Sequence, residues 1–193
     1  MKTTNVAIFA SGNGTNCENI IKHFAGSEEV KIKFVLSNRS SAFALVRAQQ
    51  LGVETIVVDS IQLKDESTMM DILQSHSIDY IVLAGFLPIV PSYIVNSFPN
   101  HIVNIHPSLL PKFGGKGMWG HHVHEAVKAA GEAETGITIH FVNDECDSGT
   151  IIKQFKVSLS PDDTAKDIEE KVHNLEMTHF PKVLECIFSN KFA

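Results

Sequence analysis

Two polar side chains near the end of a short apolar run are the residues of this chain best suited to chemistry. Residues 102–105 are predicted to form a β-strand that Pro107 ends, and Asn104 and His106 stand two positions apart at its end. Since strand side chains alternate between faces, Asn104 and His106 are expected on one side of the sheet, with Ile105 in the core. An amide N–H and an imidazole should therefore converge on one small volume.

A second polar cluster, at residues 143–149, can complete this group. It follows another apolar run and contains Asp147, whose carboxylate can hold an imidazole in one tautomer or position a water for proton transfer. Asn104 is suited to donating an N–H to an oxyanion, and His106 can transfer a proton near neutral pH. Asn104, His106 and Asp147 are the predicted catalytic residues, for acyl transfer or proton transfer.

The pattern of apolar runs predicts the frame that positions these residues. Short apolar runs alternate with helical stretches of about ten residues, which is typical of parallel strands joined by right-handed crossovers. Strands are predicted at residues 6–10, 31–36, 54–58, 80–84 and 102–105, and helices at residues 15–23, 42–51 and 67–75. The predicted fold class is α/β: a Rossmann-like open, mostly parallel sheet with helices on both faces. Binding sites in such sheets lie at the carboxyl ends of the strands.

The second half of the chain departs from this alternation. A helix is predicted near residues 122–130, and residues 137–142 and 151–157 are expected to form antiparallel edge strands. A long C-terminal helix is predicted after residues 160–163, because apolar residues recur there at helical spacing. Pro181 is expected to kink or end that helix.

The loop at residues 11–16, Ser-Gly-Asn-Gly-Thr-Asn, comes directly off the first strand and opens a helix. Backbone amides at such a helix start can cradle a phosphate. The third glycine of a dinucleotide fingerprint and the lysine of a Walker loop are both missing, which disfavours NAD and a Walker-type nucleotide site. A single phosphomonoester is the predicted ligand of this loop, and the alternative is a tight turn that binds nothing.

Composition limits the class of protein. With 193 residues, 44% of them apolar, the chain can bury one full core. Its apolar runs are far shorter than the roughly 20 residues of a membrane span, and the N-terminus lacks a leader pattern, so a soluble cytoplasmic protein is expected. A net charge of −6 without a long basic run argues against a nucleic-acid partner. Cys17, Cys146 and Cys186 are too scattered for a disulfide framework and are expected to be buried or near the core.

Histidines outside the predicted catalytic group have competing interpretations. The cluster His121-His122-x-His124 is typical of a metal site, but it lacks an associated carboxylate or cysteine spacing, so no metal is expected and a border of the active site is favoured. His140 is expected either to contact the site or to support it as a buried, hydrogen-bonded side chain.

Four motifs together resemble a known family. They are residues 11–16, residues 83–86 (Leu-Ala-Gly-Phe), residues 104–111 (Asn-Ile-His-Pro-Ser-Leu-Leu-Pro) and residues 140–149. In this order, over nearly the whole chain, they resemble the phosphoribosylglycinamide formyltransferases of purine biosynthesis. The Asn-x-His-Pro-Ser-Leu-Leu-Pro element is shared by the wider family of transferases and hydrolases that use 10-formyltetrahydrofolate, so it specifies the chemistry more than the acceptor.

The resemblance implies substrates and the residues that bind them. Glycinamide ribonucleotide is implied to contact Gly14, Thr15, Asn16, His173 and Glu176. The formyl folate, a co-substrate, is implied to contact Leu87, Pro88, Ile89, Val90, Asn104, Asn143, Asp144, Glu145, Cys146 and Asp147. One domain over residues 1–193 is expected, with a phosphate-binding half at residues 1–100 and a catalytic and folate-binding half at residues 101–193. The expected assembly is a monomer or a homodimer.

Several features depart from the family pattern on the folate side. Pro88 stands where many bacterial relatives have an arginine, and residues 59–67 contain no arginine, which leaves Lys64 as a substitute for contacting the folate's glutamate tail. The loop at residues 113–120 is unusually rich in glycine and is predicted either to be a flap that closes over ligand or a disordered excursion. Cys146 is expected to pack in the core rather than to act as a nucleophile.

Formyl transfer to an amine is the implied activity, by direct attack through a tetrahedral intermediate. Methionyl-tRNA formyltransferase and formyltetrahydrofolate hydrolase are alternatives of similar chemistry, and the length of the chain disfavours both. A non-catalytic phosphometabolite-binding module is the alternative from another class. The retained Asn104, His106 and Asp147 argue against such a module, since it would need only the phosphate cradle.

Overall fold

Strands and helices alternate along the computed structural model, which describes residues 3–189. The strands are β1 (Thr4–Phe9), β2 (Val30–Ser37), β3 (Glu54–Val57), β4 (Tyr80–Leu83), β5 (Ile102–His106), β6 (Glu134–Phe141) and β7 (Ile151–Ser158). The helices are α1 (Thr15–His23), α2 (Phe43–Gln50), α3 (Glu66–Ser75), α4 (Ser92–Ser97), α5 (His121–Ala129) and α6 (Ala165–Phe188), with a short 3-10 helix at Gln62–Lys64. Every predicted strand and helix is present, whereas α4 and the 3-10 helix were not predicted.

One seven-stranded sheet has the strand order β3-β2-β1-β4-β5-β6-β7. The first five strands in this order are parallel, and β6 and β7 continue the sheet in antiparallel fashion. The predicted fold class is therefore confirmed, including the antiparallel edge. Because β1, β4 and β5 are adjacent and parallel, the loops that follow them meet at one edge of the sheet.

Both faces of the sheet are covered, so the strands alternate between two cores rather than between core and solvent. Val6 and Ile8 of β1 point into a cluster beneath α1, α2, α5 and α6, whereas Ala7 and Phe9 point into a cluster beneath α3 and α4. This arrangement explains why β1 is almost continuously apolar. None of the helices within residues 3–189 is long and apolar enough to cross a membrane.

Helix α6 runs past Pro181 to Phe188, so the prediction that this proline could end the helix was wrong. Proline lacks the N–H that would bond to the carbonyl four residues earlier, which here belongs to Met177. The Nδ2 atom of Asn19 donates a 2.8 Å hydrogen bond to that carbonyl oxygen instead. Pro181 itself is buried, so packing and a substitute donor together keep the helix continuous.

A capping box begins α6. The hydroxyl of Thr164 accepts a hydrogen bond from the backbone N–H of Asp167, and the Asp167 carboxylate accepts one from the N–H of Thr164. The substitution Thr164→Ala is expected to lower the free energy of unfolding by about 1 kcal/mol. Urea denaturation measures this, with Thr178→Ala in the middle of the same helix as the control. An unchanged urea midpoint for Thr164→Ala would show that the cap does not contribute.

Of the three cysteines, only Cys17 is buried as predicted, and burial raises the pKa of its thiol to about 12. Cys146 and Cys186 are exposed, so the expectation that they pack in or near the core was wrong. Cys186 lies on the outer face of α6 beside exposed Glu185, and Cys146 lies in a turn rather than on a strand. In both places the local geometry directs the side chain away from the core.

Candidate active site

A cavity of about 960 Å³ opens at the carboxyl ends of the central strands, where a parallel sheet places its binding site. Its walls come from the loops after β1, β4 and β5, from the glycine-rich loop at residues 113–120, and from α6. Asn104, His106 and Asp147 all line it. The residues predicted to be catalytic are therefore brought together in one cavity.

His140 fixes the orientation of Asn104. These residues are register partners on β5 and β6, and Asn104 Nδ2 donates to His140 Nε2 at 3.0 Å. The other ring nitrogen, Nδ1, donates to the carbonyl of Phe141 at 2.9 Å, which leaves Nε2 as the acceptor. Burial lowers the pKa of His140, so the ring is neutral near pH 7 and can accept this bond. The second N–H of the Asn104 amide remains to serve a ligand.

His106 is buried between two acceptors. Its Nε2 donates to the carbonyl of Phe113 at 2.8 Å, and its Nδ1 lies 3.5 Å from Oδ2 of Asp147. The Asp147 carboxylate also accepts a 2.9 Å hydrogen bond from the backbone N–H of Gly115, and Asp147 has a left-handed φ of 55°. The carboxylate that the sequence predicted beside the imidazole is therefore in place, on a turn that aims it inward.

The same two contacts anchor the glycine-rich loop, since Phe113 and Gly115 belong to it. Further along, Lys116, Met118 and Trp119 line the cavity. The loop is therefore part of the cavity wall, attached to both the imidazole and the carboxylate through its backbone. Closure of the glycine-rich loop over a ligand remains a prediction.

The phosphate turn lies at the end of β1. Gly14 has a left-handed φ of 79° and precedes the first residue of α1, and residues 12–16 all line the cavity. The first helical hydrogen bond runs from Glu18 N to Gly14 O, so the earlier amides of this turn have no partner within the helix. These N–H groups and the positive end of the helix dipole suit an anion.

Only glycine fits at position 14. A Cβ atom there would lie 2.4 Å from the Cα of Ala44, and a positive φ is unfavourable for other residues. The substitution Gly14→Ala is expected to lower the free energy of unfolding by about 2–5 kcal/mol, from the strained φ and the overlap together. Chemical denaturation measures this, and Gly12→Ala is the matched control, because a Cβ at Gly12 meets nothing within 4 Å. Equal stability of the two variants would contradict the steric argument.

Helix α6 faces this turn with a polar pair. Glu176 accepts a 2.9 Å hydrogen bond from Nδ2 of Asn16, and Nδ1 of His173 lies 3.4 Å from the same carboxylate oxygen. The hydrogen bond to Glu176 raises the pKa of His173, which favours a positive charge beside the predicted phosphate position. Asn16, His173 and Glu176, which are distant in sequence, thus form one connected group on the cavity wall.

Two buried polar atoms in this cavity lack hydrogen-bond partners among the described residues: Oδ1 of Asn16 and Nδ1 of His124. His124 is only 3% exposed, and burial lowers its pKa. A buried, unpaired polar atom is unfavourable without a partner, so both atoms fit a ligand that carries polar groups.

Comparison with known proteins agrees with this arrangement. Residues 4–184 match the formyl transferase family. This chain belongs to that family. The phosphoribosylglycinamide formyltransferase of Haemophilus influenzae is 37% identical over 93% of this chain and 85% of its own length. A chloroplastic phosphoribosylglycinamide formyltransferase of Arabidopsis thaliana is 34% identical over 94% of this chain, which spans 64% of that longer relative.

Solved structures of phosphoribosylglycinamide formyltransferases are similar to this chain over almost its whole length. The phosphoribosylglycinamide formyltransferase of Anaplasma phagocytophilum has a TM-score of 0.90 at 35% identity, covering 98% of this chain and 89% of that one. The enzyme of Streptococcus pneumoniae has a TM-score of 0.84 at 34% identity, covering 97% and 99%. The similarity therefore extends over the sheet, the cavity loops and α6.

The first segment predicted to bind folate divides between two cavities and the core. Leu87 and Ile89 line the main cavity, and Ile89 is 74% exposed. Pro88 lines a second cavity of about 660 Å³ together with Lys64, while Val90 is buried in the core beneath α3 and α4. Lys64, named from the sequence as a substitute for a missing arginine, thus lies beside Pro88.

In the second segment, Cys146 and Asp147 line the main cavity, whereas Asn143, Asp144 and Glu145 are not among its lining residues. Asn143 shapes the turn, since its Oδ1 accepts hydrogen bonds from Glu145 N and from the Ser148 hydroxyl. The Cys146 thiol lies 3.6 Å from Oδ2 of Asp147, because both residues belong to a turn in which neighbouring side chains can lie close together.

The histidine cluster separates into two environments. His124 faces the cavity, whereas His121 and His122 are exposed on the first turn of α5 with Glu125, their ligand atoms all within 4.8 Å of one another. The statement that no carboxylate accompanies these histidines was therefore wrong, because helical spacing brings Glu125 next to them.

The sequence interpretation missed several lining residues, including Asn13 on the phosphate turn and Lys166, Glu169 and Glu170 on α6. A usable signal was present on the helix. Lys166, Glu169, His173 and Glu176 recur at intervals of three and four residues, as expected for one polar face of a helix. On Asn13, the backbone carbonyl and the side-chain amide oxygen both accept hydrogen bonds from Arg47, which holds the phosphate turn against α2.

Acid is expected to destabilise the folded chain. Burial lowers the folded-state pKa values of His124 and His140, so below about pH 6.5 the unfolded chain binds more protons than the folded one. Burial also lowers the pKa of His179, so the raised pKa of His173 acts in the opposite direction as one histidine against three. Urea midpoints should therefore fall between pH 7.5 and pH 5. His124→Gln should flatten this slope, and a midpoint that rises with acid would contradict the argument.

Proposed function

We propose that this protein transfers the formyl group of 10-formyltetrahydrofolate to the amine of glycinamide ribonucleotide, a step of de novo purine biosynthesis in the cytoplasm. One observation supports this most strongly: a single cavity contains both the Asn104, His106 and Asp147 group and a helix start whose backbone amides suit an anion. Relatives of similar length are phosphoribosylglycinamide formyltransferases, which supports the same reaction.

The ribonucleotide is assigned to the side of the cavity formed by α1 and α6. The backbone amides at Gly14, Thr15 and Asn16 would hold the phosphate, and the imidazole of His173 would add positive charge. The unpaired Oδ1 of Asn16 and the Glu176 carboxylate would accept hydrogen bonds from hydroxyl or amine groups. Since α6 belongs to residues 101–193, both proposed halves of the chain would contribute to this subsite.

The formyl folate is assigned to the opposite group of loops. Leu87, Ile89 and Met118 offer apolar surface in the cavity, which fits a planar aromatic ring system. Val90 would support the first folate segment from the core, and Pro88 would extend it into the second cavity. Asn143, Asp144 and Glu145 would act by shaping the turn that presents Cys146 and Asp147.

The residue types define a mechanism. The amine nitrogen forms a bond to the formyl carbon, the carbonyl oxygen becomes an oxyanion, and Asn104 donates a hydrogen bond to it. His106 would donate a second one only after its Nε2–H leaves the Phe113 carbonyl. The carbon–nitrogen bond to the folate then breaks, the amine loses one proton and the leaving nitrogen gains one. Asp147, beside His106, would direct this transfer through the imidazole or a water. No covalent bond to the protein and no metal ion is needed.

The substrates in this proposal are two small molecules, with no nucleic acid and no membrane involved. Either a monomer or a homodimer is compatible with it, since the cavity walls described above come from one chain.

The experiment is deformylation of a 10-formyl folate by the purified protein, followed by absorbance, with and without glycinamide ribonucleotide. Turnover that requires the ribonucleotide supports the proposal. Asp147→Asn should reduce that turnover, and Asp71→Asn, at an exposed position of α3 that does not line the cavity, is the matched control. Formate release without an amine would identify a hydrolase, and ligand binding without turnover would identify a binding module.

A further inference from the structure

A break in the hydrogen-bond ladder of α6 lies directly beside its substrate-facing residues. Because position 181 is a proline, the carbonyl of Met177 cannot receive its helical hydrogen bond. Met177 directly follows Glu176, whose carboxylate meets Asn16 and His173. Without a substitute partner, the turn that presents Glu176 would contain an unpaired carbonyl and would be free to shift.

Asn19 supplies that partner from another helix. Its Nδ2 donates to the Met177 carbonyl at 2.8 Å, and Asn16, one turn earlier on α1, donates to Glu176 at 2.9 Å. Residues three apart lie on the same face of a helix, so two amides of α1 hold consecutive residues of α6. One amide holds the Glu176 side chain and the other holds the backbone beside it.

We propose that Asn19 is a positioning residue for the ribonucleotide, a role that rests on the function proposed above. It does not line the cavity; instead it fixes the distance between the phosphate turn at the start of α1 and the Glu176 and His173 pair of α6. The two walls of the ribonucleotide subsite then keep one separation before the ligand arrives. Such preorganisation favours ligand binding more than the chemical step.

The substitution Asn19→Ala is therefore expected to raise the KM for glycinamide ribonucleotide by about threefold to tenfold, the range expected for loss of one net hydrogen bond. The KM for the folate and kcat should change by less than twofold. Asn174→Ala is the matched control, since Asn174 is an exposed asparagine of α6. Asn19→Leu, which fills similar space without a donor, should behave like Asn19→Ala.

Replacing Pro181 should compensate for the loss of Asn19. Such compensation is not expected if Asn19 contributes only to general stability. In Pro181→Ala, the new backbone N–H can bond to the Met177 carbonyl, so Asn19 becomes less necessary. Asn19→Ala should lower the melting temperature by about 2–4 °C in the wild-type background. In the Pro181→Ala background, both the temperature shift and the rise in KM should fall to less than half. Equal effects in the two backgrounds would overturn the proposal.

Failure of this inference can be distinguished from failure of the proposed function. Inorganic phosphate serves as a probe of the subsite without turnover, through the rise in melting temperature that it produces. If wild-type protein shows no ribonucleotide-dependent turnover, the proposed function fails. The phosphate titration and the melting temperatures of Asn19→Ala in the two backgrounds still test the role of Asn19. If Asn19→Ala binds phosphate and ribonucleotide as tightly as wild type does, Asn19 is not a positioning residue.

Discussion

Replacing His106 with alanine is expected to lower kcat by about 10²–10⁴-fold, the usual range for loss of a group that transfers protons. The imidazole is buried, with Phe113 O accepting at Nε2 and Asp147 3.5 Å from Nδ1, so no mobile surface group can take its place. The KM values should change much less than kcat, because the phosphate turn and the Leu87 segment are untouched. Steady-state kinetics with each substrate varied in turn measures this.

Two further variants separate proton transfer from the structural role of the ring. His106→Gln keeps an N–H donor that can reach the Phe113 carbonyl, but it cannot transfer a proton at neutral pH. Its kcat should therefore remain close to that of His106→Ala. If His106→Gln instead recovers most of the wild-type rate, the ring acts mainly by holding the glycine-rich loop. His101→Ala, at an exposed histidine just before β5, is the matched control and should retain activity.

Strand alternation was enough to predict the central part of this site. Asn104 and His106 share a face because β5 is a regular strand, and the sequence around Gly14 specifies a strand-to-helix turn by itself. These features depend on a few neighbouring residues, whose periodicity is visible in the chain. The order of apolar runs likewise defines a parallel sheet whose carboxyl edge binds ligands.

The errors occur where a distant segment decides the local structure. The sequence left open whether Pro181 kinks or ends its helix, because the donor to the Met177 carbonyl is Asn19, on the first helix. Cys146 was expected in the core, but it lies in an exposed turn. The separation of His124 from His121 depends on which face of α5 meets the cavity. Each depends on tertiary contacts that periodicity alone does not specify.

Buried groups of the site affect both the stability of the fold and the proposed chemistry. His140 is held neutral by burial and accepts the hydrogen bond that orients Asn104, so protonation of this ring would both weaken the fold and release the amide. The same low-dielectric surroundings make a correctly aimed N–H more effective toward a developing negative charge. After the imidazole of His106, the orientation of Asn104 is therefore expected to matter most for catalysis.

Substitution of Asn104 by alanine is expected to lower kcat by about 10²–10³-fold, which is typical for loss of one donor to an oxyanion. Asn104 can supply this donor because one amide N–H is directed at His140 Nε2, which leaves the other for the cavity. Asn104→Ala also removes the partner of His140, so urea denaturation must accompany the kinetics to show that the variant is folded.

Asn104→Asp provides the decisive comparison, because it keeps the shape of the side chain but replaces the donor by an acceptor at neutral pH. An oxyanion beside that carboxylate would be repelled, so kcat should fall at least as far as in Asn104→Ala. Asn96→Ala, at an exposed asparagine of α4, is the matched control for the kinetics. If both Asn104 variants keep kcat within tenfold of wild type and raise only a KM, Asn104 binds a substrate and does not stabilise the transition state.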